Sequence, residues 1–201
     1  MKLYTYVVAR DYGFAPNPFF GFCTVATCKP IIRRHASIGD WVLGTGSTTR
    51  NREGHVVFAM RVTETLSFDE YWEDPRFLVK RPHLAGSLKQ AYGDNIYHLA
   101  EHGIQWLQEN SHHSHDDGTV NPLNVARDTS APRVLISSDF VYWGGEGPSL
   151  PPRFRNNAEQ DVCAHRGHKC SFSEALVQQV VDWIREQDAH GYQGRPSAWR
   201  R

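Results

Sequence analysis

Cys28-Lys29 is the pair in this 201-residue chain best suited to chemistry. A thiol beside a cation, or at the start of a helix, holds more of its thiolate form, and the thiolate is the nucleophile. Cys28 is therefore a candidate nucleophile, with Lys29 as the cation beside it. Glu64 is an acid placed near a strand end. The plainer alternative for Cys28 is a small buried thiol. A second group is the loop His112-His113-Ser114-His115, with His98 upstream. Imidazoles titrate near neutrality and ligate zinc, so His113 enters as a candidate acid or base and His112 as a ligand contact. Solvated loop histidines are the bland reading of the same residues.

Two further groups invite a ligand. Cys163, His165, His168 and Cys170 carry the donor chemistry of zinc, but four tetrahedral ligands within eight consecutive residues would need a very tight knuckle, so no metal is assigned. In Arg166-Gly167-His168 the glycine would let backbone approach an anion and Arg166 offers a planar fork, so Arg166 and His168 are candidate phosphate contacts. Lys29, Arg33, Arg34, Arg50 and Arg52 form a possible basic patch. The 22 cationic and 22 anionic side chains cancel, so any nucleic-acid contact must be local and not a general basic field. No Walker loop and no dinucleotide fingerprint is present, which disfavours a standard NTPase or Rossmann site, and no cofactor is named.

These residues must be held by short elements. Trp41-Val42-Leu43 and Val56–Met60 are β-branched or aromatic runs bounded by glycines, and they predict two buried strands joined by a loop. Gly39-Asp40 predicts the tight turn that feeds the first of them. Leu3–Ala9, 133–138 and 140–143 also predict strands. Ser67 with Glu70 has capping-box spacing and predicts a helix through Trp72. The span 95–111 fits one helix or a hairpin about Glu101-His102-Gly103; the period-two faces and the central glycine favour the hairpin. Leu176, Val177, Val180, Val181 and Ile184 share one face of a predicted helix over 173–187. Asn17-Pro18-Phe19-Phe20 offers aromatic surface on which a base can stack.

Several of these stretches also carry a resemblance. Tyr4–Val8, Gly13–Phe19, Cys28-Lys29-Pro30, Gly39-Asp40-Trp41, Ser111–Ser114 and Val134–Ser137 resemble the second nucleotide-modification-associated domain family. Its members are linked to systems that modify or police nucleotides in bacteria and phages, which implies a nucleotide-related role. The layout of 21–65 resembles the PUA-like barrels (EVE, ASCH and YTH domains), which bind a modified base near their first helix and strands. ASCH-type amidohydrolases use a lysine, a threonine and a glutamate, which that resemblance would assign to Lys29, Thr24 or Thr27, and Glu64, the glutamate shuttling protons and the lysine steadying developing negative charge.

The expectation is a single α+β domain over 1–192 with a curved or barrel-like mixed sheet, an irregular insertion at 75–130, a C-terminal amphipathic helix and a flexible tail from 193. Its function would be recognition, and processing where catalytic groups converge, of a modified nucleotide or base. The ligand contacts would be Asn17, Phe19, Arg33, Trp41, His112, Arg166 and His168. A hydrolase or group transferase using Cys28, Lys29, Glu64 and His113 is the enzymatic version, and a non-catalytic partner-binding subunit the third reading. Four cysteines do not make a disulfide scaffold, the opening residues read as a strand and not a signal peptide, and no run approaches a membrane span. A cytoplasmic protein is expected.

Overall fold

A computed structural model describes residues 1–48, 51–100, 103–155 and 161–199. The strands in chain order are β1 (Leu3–Val8), β2 (Cys23–Val25), β3 (Trp41–Gly46), β4 (Val56–Arg61), β5 (Glu64–Ser67), β6 (Tyr97–Leu99), β7 (Trp106–Gln108), β8 (Arg133–Ser137), β9 (Asp139–Tyr142), β10 (His168–Lys169) and β11 (Gly191–Tyr192). The α-helices are α1 (Pro30–His35), α2 (Phe68–Glu73), α3 (Leu88–Ala91), α4 (Pro122–Thr129) and α5 (Glu174–Glu186). The chain is a mixed α+β protein and divides into two compact units.

The first unit comprises Met1–Tyr12, Ala36–Thr63 and Ser137–Arg201. Its sheet runs β10-β1-β3-β4-β9-β11 and is open, so no closed barrel forms among the described residues. The two glycine-bounded runs pair as an antiparallel hairpin, Trp41 opposite Arg61 and Leu43 opposite Ala59, with an irregularity between Gly44 and Thr45. The turn before β3 has Gly39 at φ 92° and Asp40 Oδ2 accepting from the Ser37 amide at 3.0 Å. Asp40 Oδ1 also accepts from the Lys2 amide at 2.7 Å, which ties the turn to the start of β1. β1 and β3 then run parallel, Leu3 opposite Trp41. Gly147 is demanded by close approach, because a Cβ there would lie 1.7 Å from the Val56 carbonyl oxygen.

Helix α5 starts at Ser173, whose hydroxyl accepts from the Leu176 amide. Leu176, Val177, Val180, Val181, Trp183 and Ile184 are buried from it into a core shared with Leu43, Ala59 and Val141. Each such side chain stabilises the unit by roughly 1.5–3 kcal/mol relative to exposure. The stretch expected as a flexible tail is bonded in place as far as it is described: the Ser197 amide donates to Asp11 Oδ2 at 2.8 Å and Trp199 Nε1 donates to the Tyr12 carbonyl at 2.9 Å.

The second unit comprises Gly13–His35 and Glu64–Ile136. It holds a three-stranded sheet, β2-β8-β5, and the β6-β7 ribbon. The capping box forms as its spacing requires: Ser67 Oγ accepts from the Glu70 amide and Glu70 Oε2 from the Ser67 amide, so α2 begins there. The hairpin reading of 95–111 holds, with Tyr97 opposite Gln108 and Leu99 opposite Trp106; Glu101 and His102 of its expected turn lie outside the described residues. The span 75–130 is not irregular throughout. It contains a 3-10 turn at Pro75–Lys80 and the elements α3, β6, β7 and α4. α4 starts where Asn121 Oδ1 accepts from the Leu123 and Asn124 amides, with Pro122 supplying a preset φ at the first helical position. Among the described residues no helix is long and apolar enough to cross a membrane.

Candidate functional site

The second unit brings Cys28 and His113 together, 85 residues apart in sequence. Cys28 Sγ lies 3.4 Å from His113 Nε2. On the far side of the ring, His113 Nδ1 donates to Asp128 Oδ2 at 2.8 Å. A thiol, an imidazole and a carboxylate thus stand in contact one after another, the arrangement of a Cys–His–Asp triad. Cys28 is partly exposed, whereas His113 is 8% exposed and Asp128 fully buried.

Local structure explains each position. Cys28 follows β2 and precedes α1, in a turn where Cys28 and Lys29 take φ 56° and 44°. Left-handed conformations cost roughly 1–3 kcal/mol each in residues other than glycine and tend to persist where the surroundings enforce them. Here the enforcers are visible. The Cys28 amide donates to Asp128 Oδ1 at 3.1 Å, Arg33 Nε donates to the Cys28 carbonyl at 2.8 Å, and Pro30 disfavours a right-handed helical conformation at Lys29. A thiol on a sharp strand-to-helix turn has the placement of a nucleophile elbow.

His113 is held through its backbone. Its carbonyl accepts from Asn124 Nδ2 at 2.7 Å and Gln108 Nε2 at 3.3 Å, and its amide donates to Ser111 Oγ at 3.3 Å. Phe14 packs edge-on against the ring at 4.7 Å between centroids and meets His112 at 5.3 Å, which Tyr92 also contacts at 5.4 Å. Asp128, in the last turn of α4, is saturated: besides His113 and the Cys28 amide it accepts from Tyr97 Oη at 3.0 Å and Arg127 Nε at 3.1 Å.

The electrostatics follow from that geometry. Burial pulls the His113 imidazole down, but its bonds to Asp128 and Cys28 outweigh burial and raise its pKa to about 9. Burial pushes Asp128 up, and His113 with Arg127 overcomes this to hold the carboxyl below the ordinary aspartate range. Burial lowers the Lys29 ammonium, against the opposing attraction of Cys28. The imidazolium is therefore the resting form near neutrality, with Nε2–H directed at sulfur.

Other predicted residues have different duties. Arg33 is no ligand contact: fully buried, it donates to the carbonyls of Cys28, Ala131, Arg133 and Asp128 and so locks the nucleophile turn to the end of α4. Glu64 is no proton shuttle for Cys28 in this arrangement, because both its oxygens accept from Arg76, at 2.7 and 2.9 Å. Asn17 is fully buried and spans the Lys80 ammonium and the Tyr92 carbonyl, and Phe19 is 2% exposed, so both build the unit's interior.

Trp41, Arg166 and His168 belong to the first unit. Trp41, an expected ligand contact, is sealed in its core; Arg166 is exposed in a turn, and His168 pairs with Tyr6 through β10. The basic patch is dispersed, since Arg33 is buried, Arg34 donates to the Ser130 carbonyl and Arg52 to the Gly147 carbonyl, while Arg50 lies outside the described residues. Cys163, His165, His168 and Cys170 do not converge, and among the described residues no group of three His, Cys, Asp or Glu side chains could hold a metal.

Asp128 was not legible beforehand. The Asn121-Pro122 start of α4 is a readable signal for the helix, but the acid sits in its last turn among polar residues and nothing in the spacing says that it points inward. A search of curated proteins and of solved structures finds no match to the chain. A family model does match, over residues 1–201. The chain belongs to the family described as nucleotide modification associated domain 2.

Proposed function

We propose that this protein is a thiol-dependent enzyme of a nucleotide-modification system, acting by acyl or related group transfer on a nucleotide or on a group attached to a base. The observation that carries the reading is the in-line contact of Cys28 Sγ, His113 and Asp128 at 3.4 and 2.8 Å. A binding module gains nothing from a saturated carboxylate behind an imidazole that faces a partly exposed thiol. A nucleophile does, because the carboxylate fixes the ring and stabilises its cation.

The reaction divides into two steps. Cys28, as the thiolate paired with the His113 imidazolium, attacks the electrophilic carbon and forms a thioester, and His113 Nε2 gives its proton to the departing nitrogen or oxygen. Water or an amine of the nucleotide then attacks the thioester, losing its proton to His113 as the Cys28 thiolate is released. Lys29 opposes the charge that develops beside the sulfur. His112, with Phe14 and Tyr92 against it, offers the exposed ring on which a base can stack. Such an enzyme would work in the cytoplasm of a bacterium or a phage-infected cell.

The test is intact-mass analysis after p-nitrophenyl acetate, alone and with a panel of nucleotides as acceptors. Wild type should form one acyl adduct, mapped to Cys28, that a productive acceptor removes; Cys28→Ser and His113→Ala should form none at that peptide. Acylation spread over lysines, or unaffected by His113→Ala, would leave the non-catalytic recognition reading in its place.

A further inference from the structure

The first unit contains a cavity of about 360 Å³ that the thiol chemistry does not use. This lies within the roughly 300–1,000 Å³ usual for small-ligand sites. Its walls combine apolar surface from Val7, Ala9 and Ala164 with the polar groups of Ser47, Glu53 and His165. Ser47 is 8% exposed, and its buried Oγ has no hydrogen-bond partner among the described residues.

The charge pattern selects the occupant. Among the described residues the lining includes a carboxylate, Glu53, and neither Lys nor Arg, and the Arg155 guanidinium beside Glu53 is shared with Asp161. Glu53 is braced by Arg155 Nη2 at 3.3 Å, and that guanidinium also stands 3.2 Å from Asp161, so Glu53 keeps acceptor capacity for a ligand. Gly54 makes this possible: a Cβ there would lie 2.0 Å from Arg155 Nη1. His165, 3.8 Å from Glu53 Oε1 and largely exposed, supplies a flat face at the mouth.

We infer that this cavity binds a small planar molecule bearing an exocyclic amine, a cytosine- or adenine-type base, with the amine donating to Glu53. That the amine belongs to a nucleobase rests on the nucleotide reading proposed above; the carboxylate in the lining stands without it. The base can arrive as a free nucleoside or within a single strand.

Calorimetric titration of the full-length protein with cytidine, adenosine, uridine and an oligo-dC strand tests this. Cytidine or adenosine should bind at least about tenfold tighter than uridine, whose carbonyl would face the carboxylate. Tighter binding of oligo-dC than of cytidine would make the strand the source. Glu53→Gln and Ala9→Phe, both at exposed positions, should each weaken binding about tenfold or more with the thermal midpoint unchanged, and Cys28→Ser should leave it intact. Equal binding of uridine, indifference to both cavity variants, or loss on Cys28→Ser would overturn the site. If nucleosides are ignored while Cys28 still acylates, this inference fails alone; if cytidine binds here and Cys28 never acylates, the thiol reading fails alone.

Discussion

The second unit contains two buried polar clusters built from similar groups, and only one is arranged for chemistry. Around Lys80 the ammonium donates to the Asn17 carbonyl, Asn17 Oδ1, the Phe22 carbonyl and Thr24 Oγ1, while Asp94 accepts from Thr24 and Tyr71. Lys80 is fully buried and Asp94 is 1% exposed. Burial lowers Lys80 to about 8 and raises both Asp94 and the neighbouring Cys23. Around Cys28 the same ingredients recur, a thiol, an acid, a tyrosine and a cation, but the thiol reaches the surface and the imidazole stands between it and the acid. Perturbed titration accompanies both clusters, so it cannot by itself mark a functional site. Exposure of the nucleophile and the linear order of the groups separate them.

The largest effect should fall on the sealed cluster. Lys80→Met leaves several acceptors unpaired and Asp94 without its cation, a loss of about 3–5 kcal/mol. Chemical denaturation of the folded variant should show this, with Cys28 acylation preserved in whatever fraction remains native.

Next comes the pH dependence of the open cluster. His113 has a folded pKa raised from 6.5 to about 9, so its contribution is fully present below the unfolded value and is lost as pH rises through about 9. Wild type should lose on the order of 2–3 kcal/mol between pH 6.5 and 9.5, and Asp128→Asn, lacking the charge that raises the imidazole, should show most of that slope removed. Denaturation midpoints across that window, with the His113 ring followed by NMR, measure both.

The smallest effect sharpens the contrast. Tyr71→Phe and Tyr97→Phe each delete one phenol that donates to a buried carboxylate, at 2.9 and 3.0 Å. Each should cost about 1.5–3 kcal/mol in the same denaturation experiment. Only Tyr97→Phe should change the rate of Cys28 acylation, since of the two carboxylates only Asp128 is bonded to the ring that faces the thiol.

Local rules carried the parts of the fold that depend on near neighbours. The Ser67–Glu70 box, the Gly39-Asp40 turn, the β3–β4 runs and the period-two faces of 95–111 are all decided within a few residues. What joins distant segments was hidden. Arg33 reads as part of a basic patch, yet its guanidinium closes a carbonyl cage supplied from around residue 130, and Trp41, expected as a ligand contact, fills a core. Cys28 and His113 were visible as reactive types, but the distance between them is set by α1, α4 and the loop carrying His113, and Asp128 becomes meaningful only when α4 turns it inward.

The central claim is that His113 activates Cys28, and the chain carries its own control in Cys170, which is exposed and has no imidazole bonded to it among the described residues. Timed alkylation with iodoacetamide at pH 7, with each cysteine peptide quantified by mass spectrometry, compares the two directly. Cys28 should react about tenfold or more faster than Cys170 despite being less exposed, and His113→Ala should slow Cys28 by a similar factor while Cys170 is unchanged. Cys170 as the fastest site, with Cys28 indifferent to His113→Ala, would contradict the account.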